Sequence, residues 1–174
     1  MSMRLSLLAS MLAAFLGAAG TWQADFTSGV WKGEANYDAD GAFSDCTMTA
    51  QSDGNILLGF VISKDFDWGL VISDETRELD VGTTQAVLLF VDAREPFASV
   101  AKVIDVHGVL IPLENSDPVI EAMRQGKVLR IVTQGVSFSF ELTGTNTAIA
   151  QLAACVTEHL GTEKVGLRIL GDAA

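Results

Sequence analysis

The sequence predicts a mainly β, α+β fold: an antiparallel sandwich or small barrel with one short and one longer C-terminal α-helix. Three observations carry this reading. From Val30 to Val109, short apolar runs rich in β-branched and aromatic residues are separated by Gly, Asp and Asn at regular spacing, the pattern of antiparallel strands joined by tight turns. A segment after Asn115 carries a helix start signal and a helix stop signal. From Thr145 the apolar period changes from two to about 3.6 residues.

Taken in order, the strands are expected at Val30 to Tyr37, Ser44 to Gln51, Ile56 to Ser63, Trp68 to Ser73, Gln85 to Asp92 and Ala98 to Val106. The punctuation between them is Asp40-Gly41, Asp53-Gly54-Asn55, Lys64-Asp65-Phe66-Asp67 and Asp80-Val81-Gly82. Asn115-Ser116-Asp117-Pro118 then offers a capping side chain followed by Pro at the first helical position, and Gly126 ends a short helix over Val119 to Gln125. Two further strands follow, Val128 to Thr133 and Val136 to Leu142, with Phe138, Phe140 and Leu142 on one face of the second. Ile149, Leu152, Ala153, Val156 and Leu160 fall on one stripe of a helix from Thr145 to Leu160. Gly161 is expected to close it, and Val165, Leu167 and Ile169 alternate as a last strand.

The chain has 174 residues and carries 22 Asp+Glu against 11 Lys+Arg, a formal charge of −11. So acidic a chain is no general nucleic-acid binder, because neutralising phosphates takes a dense Lys/Arg surface, and anionic membrane faces repel it for the same reason. At the amino end, Arg4 precedes an uncharged run from Leu5 to Leu16 and the small residues Gly17-Ala18-Ala19-Gly20. This reads as a signal peptide over residues 1–20, cleaved after Ala19 or Gly20, since the run is shorter than the roughly 20 residues a membrane span needs. Residues 21–174 then form a single β-rich exported domain with no membrane span, periplasmic or secreted.

Export also sets the redox context. The two cysteines, Cys46 and Cys155, sit where disulfides form, and with no third cysteine they have one intramolecular pairing. On its helix, Cys155 lies about 120° from the centre of the apolar stripe, flanking the buried face and within reach of a neighbouring strand. Two separate buried thiols are the alternative.

The order of motifs resembles the invasion-associated locus B family of exported alphaproteobacterial proteins. Trp31 is followed by Cys46-Thr47-Met48-Thr49-Ala50-Gln51, then by Leu79 to Gly82 leading into a strand that ends at Val91-Asp92. Pro118 to Gly126 is similar to the family's short helix, and Phe140-Glu141-Leu142-Thr143-Gly144 with Ala148 is similar to its strand entering the final helix. The resemblance spans roughly residues 30 to 155 and implies a β-rich exported domain with a late helix and no established catalytic residue. This chain departs from the pattern in three places: Ala35 stands where the family usually has a cysteine, Asp105-Val106-His107-Gly108 lacks the family's mid-chain cysteine, and Cys155 has no family counterpart.

Constellations that carry chemistry are incomplete. Asn36, Asp38, Asp40 and Gly41 match a calcium-loop template at its early positions, but Thr47 stands where a bidentate Glu is needed and the flanks read as strands; a hairpin turn on Asp40-Gly41 accounts for the same residues, leaving weak calcium binding at Asn36, Asp38 and Asp40 open. Asp105-x-His107-Gly108 is similar to the opening of a binuclear metallophosphatase motif, yet with His159 the only other histidine the ligand set cannot be completed, and a turn between two strands is expected there. His159 falls in the last turn of the expected helix, where a cation suits the helix dipole. Asp65 and Asp67 form an acid pair of the kind a glycosidase uses, in a chain where acids are common. The aromatic residues Trp22, Trp31, Tyr37, Phe43, Phe60, Phe66 and Trp68 fit core packing or a ligand surface. No catalytic residue, metal ligand set or cofactor is assigned. The expectation is a non-catalytic binding or envelope-associated protein with a protein or envelope ligand as partner; the alternatives are a small secreted hydrolase and a structural envelope component.

Overall fold

The computed structural model describes residues 25–52, 56–113 and 117–171, with side chains as far as residue 161; the expected signal peptide lies outside the described residues. The strands are β1 (Phe26–Ser28), β2 (Trp31–Tyr37), β3 (Phe43–Gln51), β4 (Leu57–Ser63), β5 (Trp68–Ser73), β6 (Thr84–Val91), β7 (Phe97–Asp105), β8 (Gly108–Pro112), β9 (Val128–Thr133) and β10 (Val136–Glu141). Together they form one ten-stranded sheet in the order β1-β2-β3-β4-β5-β8-β7-β6-β9-β10, antiparallel at every pairing. The helices are α1 (Asp117–Gln125) and α2 (Thr145–Gly171). The fold is therefore mainly β and α+β, but the sheet stays open: no β1–β10 ladder closes it into a barrel, and it is one sheet where a sandwich has two.

Period-two alternation gives the sheet one apolar inner face. Met48 pairs with Phe60, Phe60 with Leu70 and Leu70 with Ile111, so a continuous buried row crosses β3, β4, β5 and β8. On the far side, Leu89 pairs with Ile131 and Val91 with Leu129, again all buried. Burying a side chain of this size is worth about 1.5–3 kcal/mol. Gln134 and Gly135 both have positive φ in the β9–β10 turn, the backbone of a two-residue hairpin whose twist matches its strands.

The α2 helix covers the inner face of β1 to β4 and packs against α1. Ala148, Ile149, Leu152 and Val156 are buried, and Ala153 and Leu160 pack at the edge of the same core, which realises the expected stripe. Where the sheet edges approach, Ser28 Oγ donates to the Gly144 carbonyl at 3.2 Å. Gly144 has φ +81°, and a Cβ there would lie 3.0 Å from the Ser28 carbonyl oxygen, so the residue that turns β10 into α2 has to be glycine.

Three expectations need correction. Helix α2 runs through Gly161 to Gly171, so the last strand over Val165, Leu167 and Ile169 does not form. Gly161 does not adopt the positive φ of a helix-ending glycine, and a helix satisfies its own backbone where a strand would need a free edge to pair with. The sequence marks a turn after Val106 and sets no bounds for β8 beyond it; the hairpin reverses one residue earlier, with Asp105 facing Gly108. Strand β1 is too short and too polar to stand out; it is held by Phe26, whose ring lies over Gly33, where a Cβ would be 2.0 Å from it.

Candidate functional site

Beyond the strands that α2 covers, the inner face of β5 to β10 holds a cavity of about 200 Å³, lined by residues of those strands and of the segment after β5, with no contribution from either helix. Its interior follows from strand alternation: Ile72, Val87, Ala101, Val109, Ile111 and Ile131 all point to the inner face. Its mouth is polar, formed by Asp74, Arg77, Gln85, His107, Thr133 and Gln134.

The mouth is built by a loop folded onto the β7–β8 hairpin. Asp74 N–H donates to the His107 carbonyl at 2.9 Å, and Leu79 N–H to the Val106 carbonyl at 2.8 Å. Asp74 continues the inward phase of Leu70 and Ile72, which makes it the one buried charged residue among those described. Its carboxylate accepts the Thr76 hydroxyl and the Thr76 N–H and faces Arg77 Nε at 3.1 Å. The hydrogen bond from the Thr76 hydroxyl, with smaller help from the Thr76 amide and the Arg77 guanidinium, holds the Asp74 carboxyl below the ordinary carboxylate range against the opposing effect of burial. Arg77 also lies over the Phe138 ring, 5.8 Å from its centroid. His107 Nδ1 is 2.7 Å from the Arg77 carbonyl; a carbonyl only accepts, so Nδ1 carries the proton, and in the neutral ring Nε2 is left as an acceptor.

The expected chemical groups fall elsewhere. Cys46 on β3 and Cys155 on α2 have their sulfurs at bonding distance, 1.98 Å, with Cα atoms 6.3 Å apart, and tie the sheet to the helix. Ala35 sits directly opposite Cys46 in the β2–β3 register, so the partner sulfur comes from α2 and not from the neighbouring strand. The calcium template forms a hairpin turn: Asp38 Oδ1 accepts the N–H groups of Asp40 and Ala42, while Asn36 Nδ2 donates to Asp45 Oδ1 and Thr47 Oγ1 on the next strand. The two side chains are thus spent on different partners. Among the described residues, no three His, Cys, Asp or Glu side chains gather as a metal site.

Asp105 and His107 form the expected turn, with the His107 N–H on Asp105 Oδ1 at 3.0 Å; the ring's place at the cavity mouth was not foreseen. Asp65 and Asp67 donate their N–H groups to Ser63 Oγ in an exposed turn. His159 is stacked on Phe43, with centroids 5.4 Å apart, and meets Tyr37 Oη at 2.8 Å through Nδ1. With α2 continuing to Gly171, His159 is not in its last turn, and the helix-dipole argument for it lapses. Trp31 is fully buried, edge-on to Phe60, and donates its indole N–H to Thr145 Oγ1 at 3.0 Å. Trp31, Phe43 and Phe60 are core residues, Tyr37 and Phe66 are exposed, and Trp22 lies outside the described residues.

No protein-family model matches the chain, and no curated protein matches it in sequence. Among solved structures, the chain is similar to the crystal structure of invasion associated protein B from Bartonella henselae, with a TM-score of 0.54 and 21% identity over 76% of this chain and 97% of that one. At that identity the likeness is one of fold, and it agrees with the motif resemblance to the invasion-associated locus B family.

Proposed function

We propose that the chain is an exported, non-catalytic binding protein, periplasmic or secreted, whose ligand site is the cavity on the inner face of β5 to β10. The observation that carries the reading is the cavity's construction, an apolar interior with a few polar groups converging at one mouth, which is how small-molecule sites are built. The polar groups support binding over turnover. The Thr133 hydroxyl on the wall donates to the Ala86 carbonyl at 3.0 Å, Asp74 is engaged by Thr76 and Arg77, and no Ser or Cys side chain stands with His107 among the lining residues. The amino-terminal sequence and the Cys46–Cys155 pair support export.

Methyl NMR of the protein titrated with toluene tests the site. Saturable shifts are expected at Val87, Val109, Ile111 and Ile131, with none at Leu58 or Met48 under α2. Uniform or unsaturable shifts would refute a site in this cavity. Recovery of the protein from the periplasm with its amino terminus at Gly20 or Thr21 tests export.

A further inference from the structure

We infer that this cavity, taken as the binding site proposed above, is shaped for a compact neutral amphiphile: about eight non-hydrogen atoms, mostly an aromatic or alicyclic body, ending in one hydroxyl group. The size comes from the volume. An apolar cavity of about 150 Å³ holds benzene, with its six carbons, and this one measures about 200 Å³, room for roughly two atoms more. The body has to be apolar because the interior groups, Ile72, Val87, Ala101, Val109, Ile111 and Ile131, offer no side-chain hydrogen bond.

The head group follows from the charges at the mouth. Arg77 is already neutralised by Asp74, so the pair presents no net charge to a ligand. An anion placed there would face the Asp74 carboxylate on the cavity wall, in a chain of formal charge −11. A cation would face Arg77. A hydroxyl avoids both penalties and matches what is left over. Arg77 uses Nε on Asp74, and no protein acceptor among the described residues takes its terminal nitrogens, which remain as donors. His107 spends Nδ1 on the Arg77 carbonyl and keeps Nε2 as an acceptor. A hydroxyl can accept from the first and donate to the second at once. Both residues line the same cavity, and the His107 ring is bonded to the backbone of Arg77 itself.

Calorimetric titration of the wild-type protein with three ligands of similar size tests this: 4-methylphenol, toluene and benzoate. Two modest hydrogen bonds should make 4-methylphenol bind about tenfold more tightly than toluene, and benzoate should bind at least tenfold more weakly than 4-methylphenol. The preference for the phenol over toluene should shrink about threefold in Arg77→Met and in His107→Phe, each of which removes one partner, while toluene affinity holds within about twofold. Equal affinity for toluene and 4-methylphenol, or tighter binding of benzoate, would overturn the hydroxyl assignment while leaving the cavity as a binding site. An unchanged preference in both variants would overturn the roles given to Arg77 and His107. Binding of none of the three would overturn the assignment together with the binding site on which it rests. Should either variant fail to fold, the wild-type series alone decides.

Discussion

Breaking the Cys46–Cys155 bond in the folded protein is expected to cost about 5 kcal/mol of stability. The cysteines are 109 residues apart, and in the chain-entropy model a loop of that length removes about 16 cal/mol/K from the unfolded chain, or about 5 kcal/mol at 25 °C. The folded state loses much less. Ile149, Leu152 and Val156 still bury α2 against the sheet when the sulfurs part. For a domain of this size the change corresponds to roughly 10–20 °C in Tm. Urea unfolding of the oxidised and reduced wild-type protein measures it without creating a cavity, and the Cys46→Ala/Cys155→Ala variant should match the reduced protein to within about 1 kcal/mol. Hydrogen exchange locates the effect: protection of β3, β4 and α2 should fall together, as it does when the unfolded state is what changes. Two results would refute the reasoning. One is a reduced protein within about 1 kcal/mol of the oxidised. The other is loss of protection confined to α2, which would make the bond a local tether.

Three further outcomes follow from particular side chains. Burial, with the carboxylates of Asp25 and Asp45, raises the Glu34 carboxyl above its ordinary value, so the folded state holds that proton more tightly than the unfolded chain and stability falls as pH rises through the raised value; Glu34→Gln should stabilise the protein at pH 7 by a few tenths to about 1 kcal/mol, and the gain should vanish below pH 4 in urea melts. Asp74 has the opposite sign: its carboxyl is depressed, so its contribution is present above the ordinary carboxylate range and lost as pH falls through the depressed value. Asp74→Asn should cost about 1–3 kcal/mol at pH 7 and progressively less as pH falls below the ordinary carboxylate range, read from the same melts. Trp31→Ala removes a fully buried ring and the hydrogen bond to Thr145 and should cost about 3–5 kcal/mol in equilibrium unfolding, whereas Phe66→Ala, at an exposed turn with φ +65°, should change stability by less than about 1 kcal/mol.

What could be read from the sequence was set by local chemistry. Strands β2 to β7, β9 and β10 and helix α1 each have a period and a turn or cap of their own, and all lie near their expected positions. The α2 stripe was legible for the same reason, but its end was not: Gly161 is a stop signal only when it takes the left-handed conformation, and here the helix continues through it. Closure of the sheet depends on whether β1 and β10 pair, a long-range event without a local signature, so a barrel and an open sheet read alike. The cavity mouth was hidden for a similar reason. Asp74 does carry a signal, an acid in phase with the inward residues Leu70 and Ile72 and followed by Thr76 and Arg77, the hydroxyl and cation that satisfy it. His107 carried none, because its partner at Arg77 is 30 residues away and meets it only once the segment after β5 folds onto the β7–β8 hairpin.

Crystallography under xenon pressure tests most directly whether the inner face of β5 to β10 holds an apolar cavity open to a ligand. Xenon occupies apolar cavities without needing a polar partner. One well-occupied xenon atom is expected among Val87, Ala101, Val109, Ile111 and Ile131, with the Arg77–Asp74 pair and the His107 ring unmoved at the mouth. A structure in which those side chains have closed on one another, with xenon absent from that space, would contradict it.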